Sequence, residues 1–196
     1  PPLNPEETVY SVIEYQQGLL VVYTAKDPAD TSGLEEKLIN FLEKSGLMKN
    51  LHRMGISTPV KGLENLGTAI QESLYANSSC RLDHLESLRF RDSGLDQILL
   101  SMEDNPWVKK YYSSLVSKLG AYDDRHGARL METLLEYVQN NGDMKQTAQK
   151  MFQHSNTIRY RIDKIRKLLD MGDDAHSLAQ LYTLVRLHQI YQNTDI

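Results

Sequence analysis

The sequence predicts an α+β protein in which a small, partial α/β sandwich is followed by an all-α domain. Two runs of β-branched and aromatic residues stand near the start of the chain, as expected for a pair of strands. From residue 94 onward, apolar residues recur at helical spacing instead. We therefore divide the chain into an α+β region at 1–90 and a helical domain at 91–196.

Short-range patterns define the elements of the α+β region. Gln16-Gln17-Gly18 separates the two β-branched runs and predicts a hairpin. The expected order is strand Thr8–Tyr15, strand Leu19–Thr24, loop Lys26–Ser32, helix Gly33–Ser45, a strand within Lys49–Ser57 and helix Gly62–Tyr75. In the last helix, Leu63 belongs to the apolar stripe. Tyr75–Arg81 is expected to leave that helix, and Leu82–Phe90 is ambiguous, with a final edge strand as one interpretation.

The second domain is expected to be helical throughout. Pro106 stands at a first helical position, where its missing N–H costs nothing, and Gly120–Asp124 is expected to turn the chain. The expected helices are Gly94–Met102, Trp107–Leu119, Arg125–Gln139, a pair between 143 and 169, and Ser177–Gln192. Each carries apolar residues at helical spacing, which predicts one buried face per helix.

Residues 140–169 predict two helices joined by a tight turn. Asp143, with Gln146 three residues later, forms a capping box for a short helix at about Met144–Phe152. The turn is expected at Gln153–Ser155. The candidates for capping the second helix are Ser155 and Asn156.

The second helix of this pair has two different faces. Ile158, Ile162, Ile165 and Leu169 form an apolar stripe at spacings of four, three and four. The opposite face is polar. A helix-turn-helix has this layout, because one face of its second helix packs on the domain while the other enters a major groove.

The charge of this segment differs from that of the whole chain. The chain has a net charge of −4, whereas residues 145–167 contain seven basic residues and one acidic residue, Asp163, a net charge of +6. A local basic helix on an acidic protein is suited to phosphate binding. The alternative is a solvated basic face on an ordinary helical hairpin.

The same residues resemble a known family. The run is similar to the C-terminal helix-turn-helix of the PucR/CdaR family of bacterial transcription regulators and, more loosely, to that of Fis. The matching residues are Asn141-Gly142-Asp143, Thr147-Ala148, Met151-Phe152, His154, Asn156–Ile162 and Lys164-Ile165. The resemblance implies a sequence-specific DNA-binding regulator, usually dimeric.

The α+β region resembles the back half of a GGDEF-like domain through Gly18–Val22 and Met54–Ser57. A diguanylate cyclase needs carboxylates at the hairpin turn to hold metals, but the turn Tyr15–Leu19 has none. The resemblance therefore implies a degenerate, non-catalytic module. The front of such a fold is missing and the chain begins Pro-Pro without an initiator Met, so we expect the C-terminal part of a longer protein.

The helix-turn-helix interpretation assigns individual residues to DNA. The residues expected at base edges are Ser155, Asn156, Arg159 and Tyr160. Arginine pairs bidentately with guanine and asparagine with adenine. The residues expected at phosphates or in positioning are Lys150, His154, Thr157, Arg161 and Lys164. A homodimer would present two such helices to half-sites about one turn of DNA apart.

The sequence argues against an enzyme. The six histidines show no paired metal-ligand spacing, no nucleophile constellation is visible, and the lone Cys80 is expected to be a small buried residue. We expect no metal, no cofactor, no membrane segment and a cytoplasmic location. His188, Trp107 and the pair Tyr111-Tyr112 are expected to pack in the core.

These expectations leave two functions open. The first is a PucR/CdaR-type regulator that binds double-stranded DNA as a homodimer and controls a metabolic operon in response to a signal sensed elsewhere in the protein. The alternative is an effector-binding or dimerisation module whose helix-turn-helix contacts protein rather than DNA.

Overall fold

A computed structural model describes residues 8–15, 18–25, 33–46, 52–172 and 174–193 of the chain. It divides into two compact units, Pro1–Gln97 and Ile98–Ile196. The first unit contains small sheets and helices, and the second contains helices. The predicted α+β class is therefore confirmed. Across the described ranges, none of the helices combines the length and the apolar character that crossing a bilayer requires.

The described part of the first unit holds two small sheets flanked by helices. Its elements are β1 (Thr8–Tyr15), β2 (Gly18–Ala25), α1 (Leu34–Ser45), β3 (Met54–Ile56), α2 (Leu66–Asp83) and β4 (Ser87–Arg89). β1 pairs antiparallel with β2, which confirms the predicted hairpin, and β3 pairs parallel with β4. The turn residues Gln16-Gln17 and the expected loop at 26–32 lie outside the described residues.

The helix predicted at Gly62–Tyr75 begins later and ends later than expected. A single 3-10 turn precedes α2, and its Leu63 is 80% exposed although its spacing predicted burial. The segment 75–81, expected to leave the helix, is helical. The small side chains of Ala76 and Cys80 are fully buried there, so tertiary packing holds in a helix a segment whose polar composition indicated a loop.

Close backbone packing explains one glycine and the buried cysteine of this unit. A Cβ at Gly55 in β3 would lie 2.1 Å from the carbonyl oxygen of Ser73 and 2.3 Å from the nitrogen of Asn77 in α2. No larger residue fits without moving the strand. The Cys80 thiol lies 3.6 Å from the Met54 carbonyl oxygen, and burial raises the pKa of Cys80. The prediction of a small buried cysteine is confirmed.

The remaining elements are helices. They are α3 (Asp96–Leu99), α4 (Pro106–His126), α5 (Leu130–Gln139), α6 (Met144–Lys150), α7 (Ser155–Leu168) and α8 (Ala175–Asn193). The Asn105 side chain accepts hydrogen bonds from the first N–H groups of α4 and caps it, and Pro106 occupies the first turn as predicted.

The helix predicted to end at Leu119 continues for about two more turns. The stretch 120–124, predicted to be a turn, is helical because both ends of it are tied to the protein. Leu119 is fully buried, and the Asp123 carboxylate accepts a hydrogen bond from the backbone N–H of Leu130 at 2.7 Å. This acid caps α5, which therefore begins at Leu130 and not at Arg125 as predicted.

One contiguous apolar core joins five helices of the second unit. Its buried members are Leu115, Leu119, Leu130, Leu134, Tyr137, Val138, Ala148, Ile158, Ile162, Ile165, Leu169, Leu181, Leu184 and Val185. They come from α4 to α8, together with the residue that follows α7. The predicted stripes of α5 and α7 are confirmed. Each fully buried isoleucine or leucine contributes about 1.5–3 kcal/mol.

The aromatic residues of α4 divide between core and surface. The Tyr112 hydroxyl lies 2.9 Å from Nδ1 of His188 in α8, and burial lowers the pKa of His188. His188 is thus the packed, hydrogen-bonded histidine that the sequence predicted. The core prediction is wrong for Trp107 and Tyr111, which are 77% and 45% exposed.

Candidate nucleic-acid interface

The first helix of the predicted pair begins as expected and ends earlier. The Asp143 carboxylate caps α6 by accepting from the backbone N–H groups of Lys145 at 2.8 Å and Gln146 at 3.0 Å. The hydrogen bond from the Gln146 N–H is the main cause that lowers the pKa of Asp143. The reciprocal half of the box is absent at this helix, because the Asp143 N–H donates to the Asn140 carbonyl at 2.9 Å. α6 stops two residues before the predicted Phe152.

The turn between the helices supplies the cap of α7. Nδ1 of His154 accepts a hydrogen bond from the backbone N–H of Asn156 at 3.2 Å. His154 is therefore the capping residue, and neither of the predicted candidates, Ser155 and Asn156, takes that role. An imidazole nitrogen can replace the usual hydroxyl or carboxyl oxygen because its neutral form carries one acceptor.

The inner edge of α7 anchors it to the domain. Ile158, Ile162 and Ile165 have no exposed surface, and Leu169 just after the helix is 5% exposed. Ala148 of α6 is also buried, which lets α6 and α7 approach closely. The orientation of α7 about its own axis is thus fixed by burial, and so is the direction of its outer edge.

The predicted site residues are spread over that outer edge and the preceding turn. The exposed ones are Lys150, His154, Asn156, Arg159 and Tyr160. The half-buried ones are Ser155, Thr157, Arg161 and Lys164. All nine lie on α6, the turn or α7, and the exposed ones precede residue 161. The N-terminal turns of α7 thus carry the open polar surface.

Arg161 is engaged inside the domain. Its guanidinium donates to the Thr133 hydroxyl oxygen of α5 at 3.2 Å, and that hydroxyl donates in turn to the Arg129 carbonyl at 2.7 Å. The chain of hydrogen bonds joins the middle of α7 to the start of α5. The assignment of Arg161 to a DNA phosphate stays a prediction, and it requires this contact to be shared or exchanged.

A tyrosine of α4 holds two predicted site residues. The Lys164 ammonium lies 4.6 Å from the centre of the Tyr122 ring, a cation–π contact. A hydrogen bond with Tyr160 is the main cause that raises the pKa of Tyr122. The Tyr122 ring also stacks on the imidazole of His126, at 4.1 Å between centroids. Tyr160 nevertheless remains 62% exposed.

Two charged residues near the end of α7, Asp163 and Arg166, pair with each other. Arg166 lies 4.0 Å from the Asp163 carboxylate, and its side chain is only 11% exposed. Arg166 is one of the seven basic residues of segment 145–167. Its burial leaves the open basic groups of this segment at Lys145, Lys150, Arg159 and Lys167.

Two residues that support the interface were missed from the sequence. Tyr122 stood in a stretch predicted to be a turn, and Thr133 stood between stripe residues of α5 with nothing to distinguish it. Their roles depend on which helices meet. α5 also carries Glu132, Glu136 and Gln139, so the polar character of Thr133 gave no local signal. In the parts of the chain that the structure describes, no group of three or more His, Cys, Asp and Glu side chains could hold a metal ion.

A domain family matches this region of the chain. Residues 130–187 match the PucR C-terminal helix-turn-helix domain. The matched range contains α5, α6 and α7 and most of α8, which are the helices that build the pair and its support. No solved structure matches the chain.

Two curated relatives extend over most of the chain. It is 25% identical over 192 residues to the proline-responsive transcriptional activator PutR of Bacillus subtilis, covering 92% of this chain and 46% of that protein. It is 26% identical over 169 residues to the purine catabolism regulatory protein of Bacillus subtilis, covering 81% of this chain and 31% of that protein. The chain thus spans less than half the length of either relative. Both are named as regulators and neither as an enzyme, in agreement with the sequence prediction.

Proposed function

Because residues 130–187 form its helix-turn-helix domain, this chain belongs to the PucR family of transcriptional regulators, and we propose that it binds a specific operator sequence to control a metabolic operon. The observation that carries this proposal is the division of α7 into two edges. Its isoleucine edge is fully buried, while Asn156, Arg159 and Tyr160 stand exposed on its first turns. A recognition helix needs both properties.

The exposed residues have the chemistry to read base edges. Asn156 and Arg159 can pair bidentately with adenine and guanine. Ser155 and Tyr160 complete the base-facing group of the proposal. The phosphate-facing group is Lys150, His154, Thr157, Arg161 and Lys164. Of these, Lys150 is the open cation, since Arg161 and Lys164 already contact other side chains of the domain.

The proposed regulator acts as a homodimer in the bacterial cytoplasm. One recognition helix reads only a few base pairs, so a single domain gives limited specificity. Two copies related by a two-fold axis would read half-sites about one DNA turn apart. The chain's net charge of −4 supports localised contacts with DNA rather than indiscriminate binding.

The signal is proposed to be a small metabolite sensed outside the helix-turn-helix. The names of the two relatives refer to proline and to purine catabolism, which supports a nitrogen-containing metabolite as the chemical class. The α+β region at 1–90 is proposed to be a degenerate, GGDEF-like module with no catalytic role.

In-vitro selection from a random duplex pool tests the proposal. Wild-type protein should enrich a defined sequence, and anisotropy titration should give an affinity for it at least ~10³-fold above that for a random duplex at one salt concentration. Affinity for both duplexes should fall as salt is raised. A protein that enriches no sequence and binds both duplexes equally is not a sequence-specific regulator.

A further inference from the structure

The turn between α6 and α7 contains a residue of an unexpected type. After α6 the chain closes with two reversed hydrogen bonds, from the Phe152 N–H to the Gln149 carbonyl at 3.2 Å and from the Gln153 N–H to the Ala148 carbonyl at 2.9 Å. This pattern requires a left-handed backbone at the residue that ends the turn, a position that glycine usually fills. Here Phe152 fills it, with φ of +53°.

The same chain meets this requirement differently elsewhere. Among the described residues, five other helices end with a left-handed residue, namely Gly46, His84, Gly127, Asn141 and Asp170. Glycine adopts that conformation without strain, and Asn, Asp and His are the side chains enriched there. A bulky aromatic residue has neither advantage. Phe152 is therefore the exception among these helix ends.

Packing within the domain does not explain the exception. The Phe152 side chain is 93% exposed, so its ring buries almost no surface in the protein. Glycine or asparagine would give the turn the same backbone at lower cost. A large apolar ring that strains the backbone and remains in water points to a contact outside the chain.

The neighbours of Phe152 indicate which contact this is. Lys150 and His154 are both exposed and stand two residues to either side, and α7 begins at Ser155. In a helix-turn-helix the first turns of the second helix enter the groove, so the residues just before it lie at the groove edge, along the sugar–phosphate backbone. The apolar surface available there is the carbon face of deoxyribose.

We propose that Phe152 is a further DNA-contacting residue, whose ring packs on a deoxyribose of the backbone beside the N-terminus of α7. This inference rests on the proposed function. The contact removes apolar surface of the ring and of the sugar from water, and it carries no sequence information. It complements the phosphate contact assigned to Lys150.

Opposite changes in stability and affinity test the inference. Phe152→Gly and Phe152→Asn should raise the melting temperature by relieving the left-handed strain. Both should weaken binding to the selected duplex and to a random duplex by the same factor, roughly tenfold, because ring burial is lost. The dependence of affinity on salt should stay unchanged, since no charge is removed. His84→Gly relieves the same backbone conformation in the first unit and should leave DNA affinity unaltered.

Three results would overturn it. If the wild-type protein binds the duplexes and Phe152→Gly binds them with the same affinity, this inference alone is overturned. A loss confined to the selected duplex, and reproduced in wild-type protein by replacing thymine with uracil, would place the ring on a base methyl instead of a sugar. A wild-type protein that binds neither duplex would overturn the proposed function together with this inference.

Discussion

The first two turns and the last two turns of α7 both carry basic side chains, but they place them in different surroundings. Near the start, the Arg159 side chain is exposed. Farther along, Lys164 lies over the Tyr122 ring and Arg166 is 11% exposed beside Asp163. Apart from Lys167, which is exposed, the helix therefore presents an open recognition surface at its start and a supporting surface at its end.

This difference shows that a charge count overestimates what DNA can use. Residues 145–167 carry a net charge of +6, yet three of their basic side chains, Arg161, Lys164 and Arg166, are already engaged in the free protein. Affinity should therefore depend on salt less steeply than six phosphate contacts per domain would require, that is, with a slope shallower than about −5.

The largest expected effect comes from a core substitution in α7, because burial of its isoleucine edge orients both halves of the helix. Ile162→Ala should lower the free energy of unfolding by about 2–5 kcal/mol, because Ile162 has no exposed surface and the cavity collapses only in part. Chemical denaturation measures this change. Ile98→Ala makes the same substitution at a side chain that is 55% exposed and should change stability little; equal losses in the two variants would show that burial of this edge is not what holds α7.

The next largest effect separates the reading of bases by the start of α7 from the stability of the fold. Arg159→Ala should cost about 1–3 kcal/mol of discrimination between the selected and a random duplex, since its bidentate pairing with one base is lost. Anisotropy titration at fixed salt measures both affinities, and the unfolding free energy should stay within about 0.5 kcal/mol. Arg125→Ala, which removes an exposed charge near the end of α4, serves as the control and should retain the discrimination. Unchanged discrimination in Arg159→Ala would remove this residue from the base-reading group.

A smaller effect tests the contact between the two surfaces. Tyr122→Phe removes the hydroxyl whose pKa is raised by Tyr160 but keeps a ring beneath Lys164. Affinity for the selected duplex should fall by at most about tenfold, because one contact that holds the Tyr160 side chain in place is lost. Tyr122→Leu, which also removes the cation–π contact, should lower affinity further. If both variants bind the selected duplex like wild type, Tyr122 does not position α7.

The smallest effect concerns the core that supports α7. Burial lowers the pKa of His188 below the ordinary 6.5, so the unfolded chain binds its proton more readily than the folded protein does. The contribution of neutral His188 is present above pH 6.5 and is lost as pH falls below that value toward the lowered folded pKa. Melting temperature measured between pH 5 and 8 should therefore decline on the acid side by a larger amount in wild type than in His188→Gln. A parallel decline in both proteins would assign the acid sensitivity to other groups.

Local patterns were sufficient where one element decides its own structure. The isoleucine spacing of α7 fixed its buried edge because helical periodicity and burial agree, and Asp143 could be recognised as a cap from its type and position. The hairpin followed for the same reason, since two β-branched runs are separated by a short break. These features need no knowledge of what packs against them.

Local patterns failed where a distant contact decides the outcome. α4 continues past Leu119 because Asp123 caps another helix and Tyr122 reaches α7. α2 continues to Asp83 because Ala76, Ser79 and Cys80 are buried. The engagement of Arg161 by Thr133 is of the same kind. No residue spacing within one helix encodes which side chain of another helix will meet it.

Titration of the isotope-labelled protein with the selected duplex, followed by NMR, tests the division of α7 most directly. We expect large shifts for the backbone amides of Asn156–Tyr160 and small shifts for those of Ile165–Leu168, with the side-chain signal of Arg159 perturbed on binding. Shifts concentrated in Ile165–Leu168, with Asn156–Tyr160 unaffected, would contradict it.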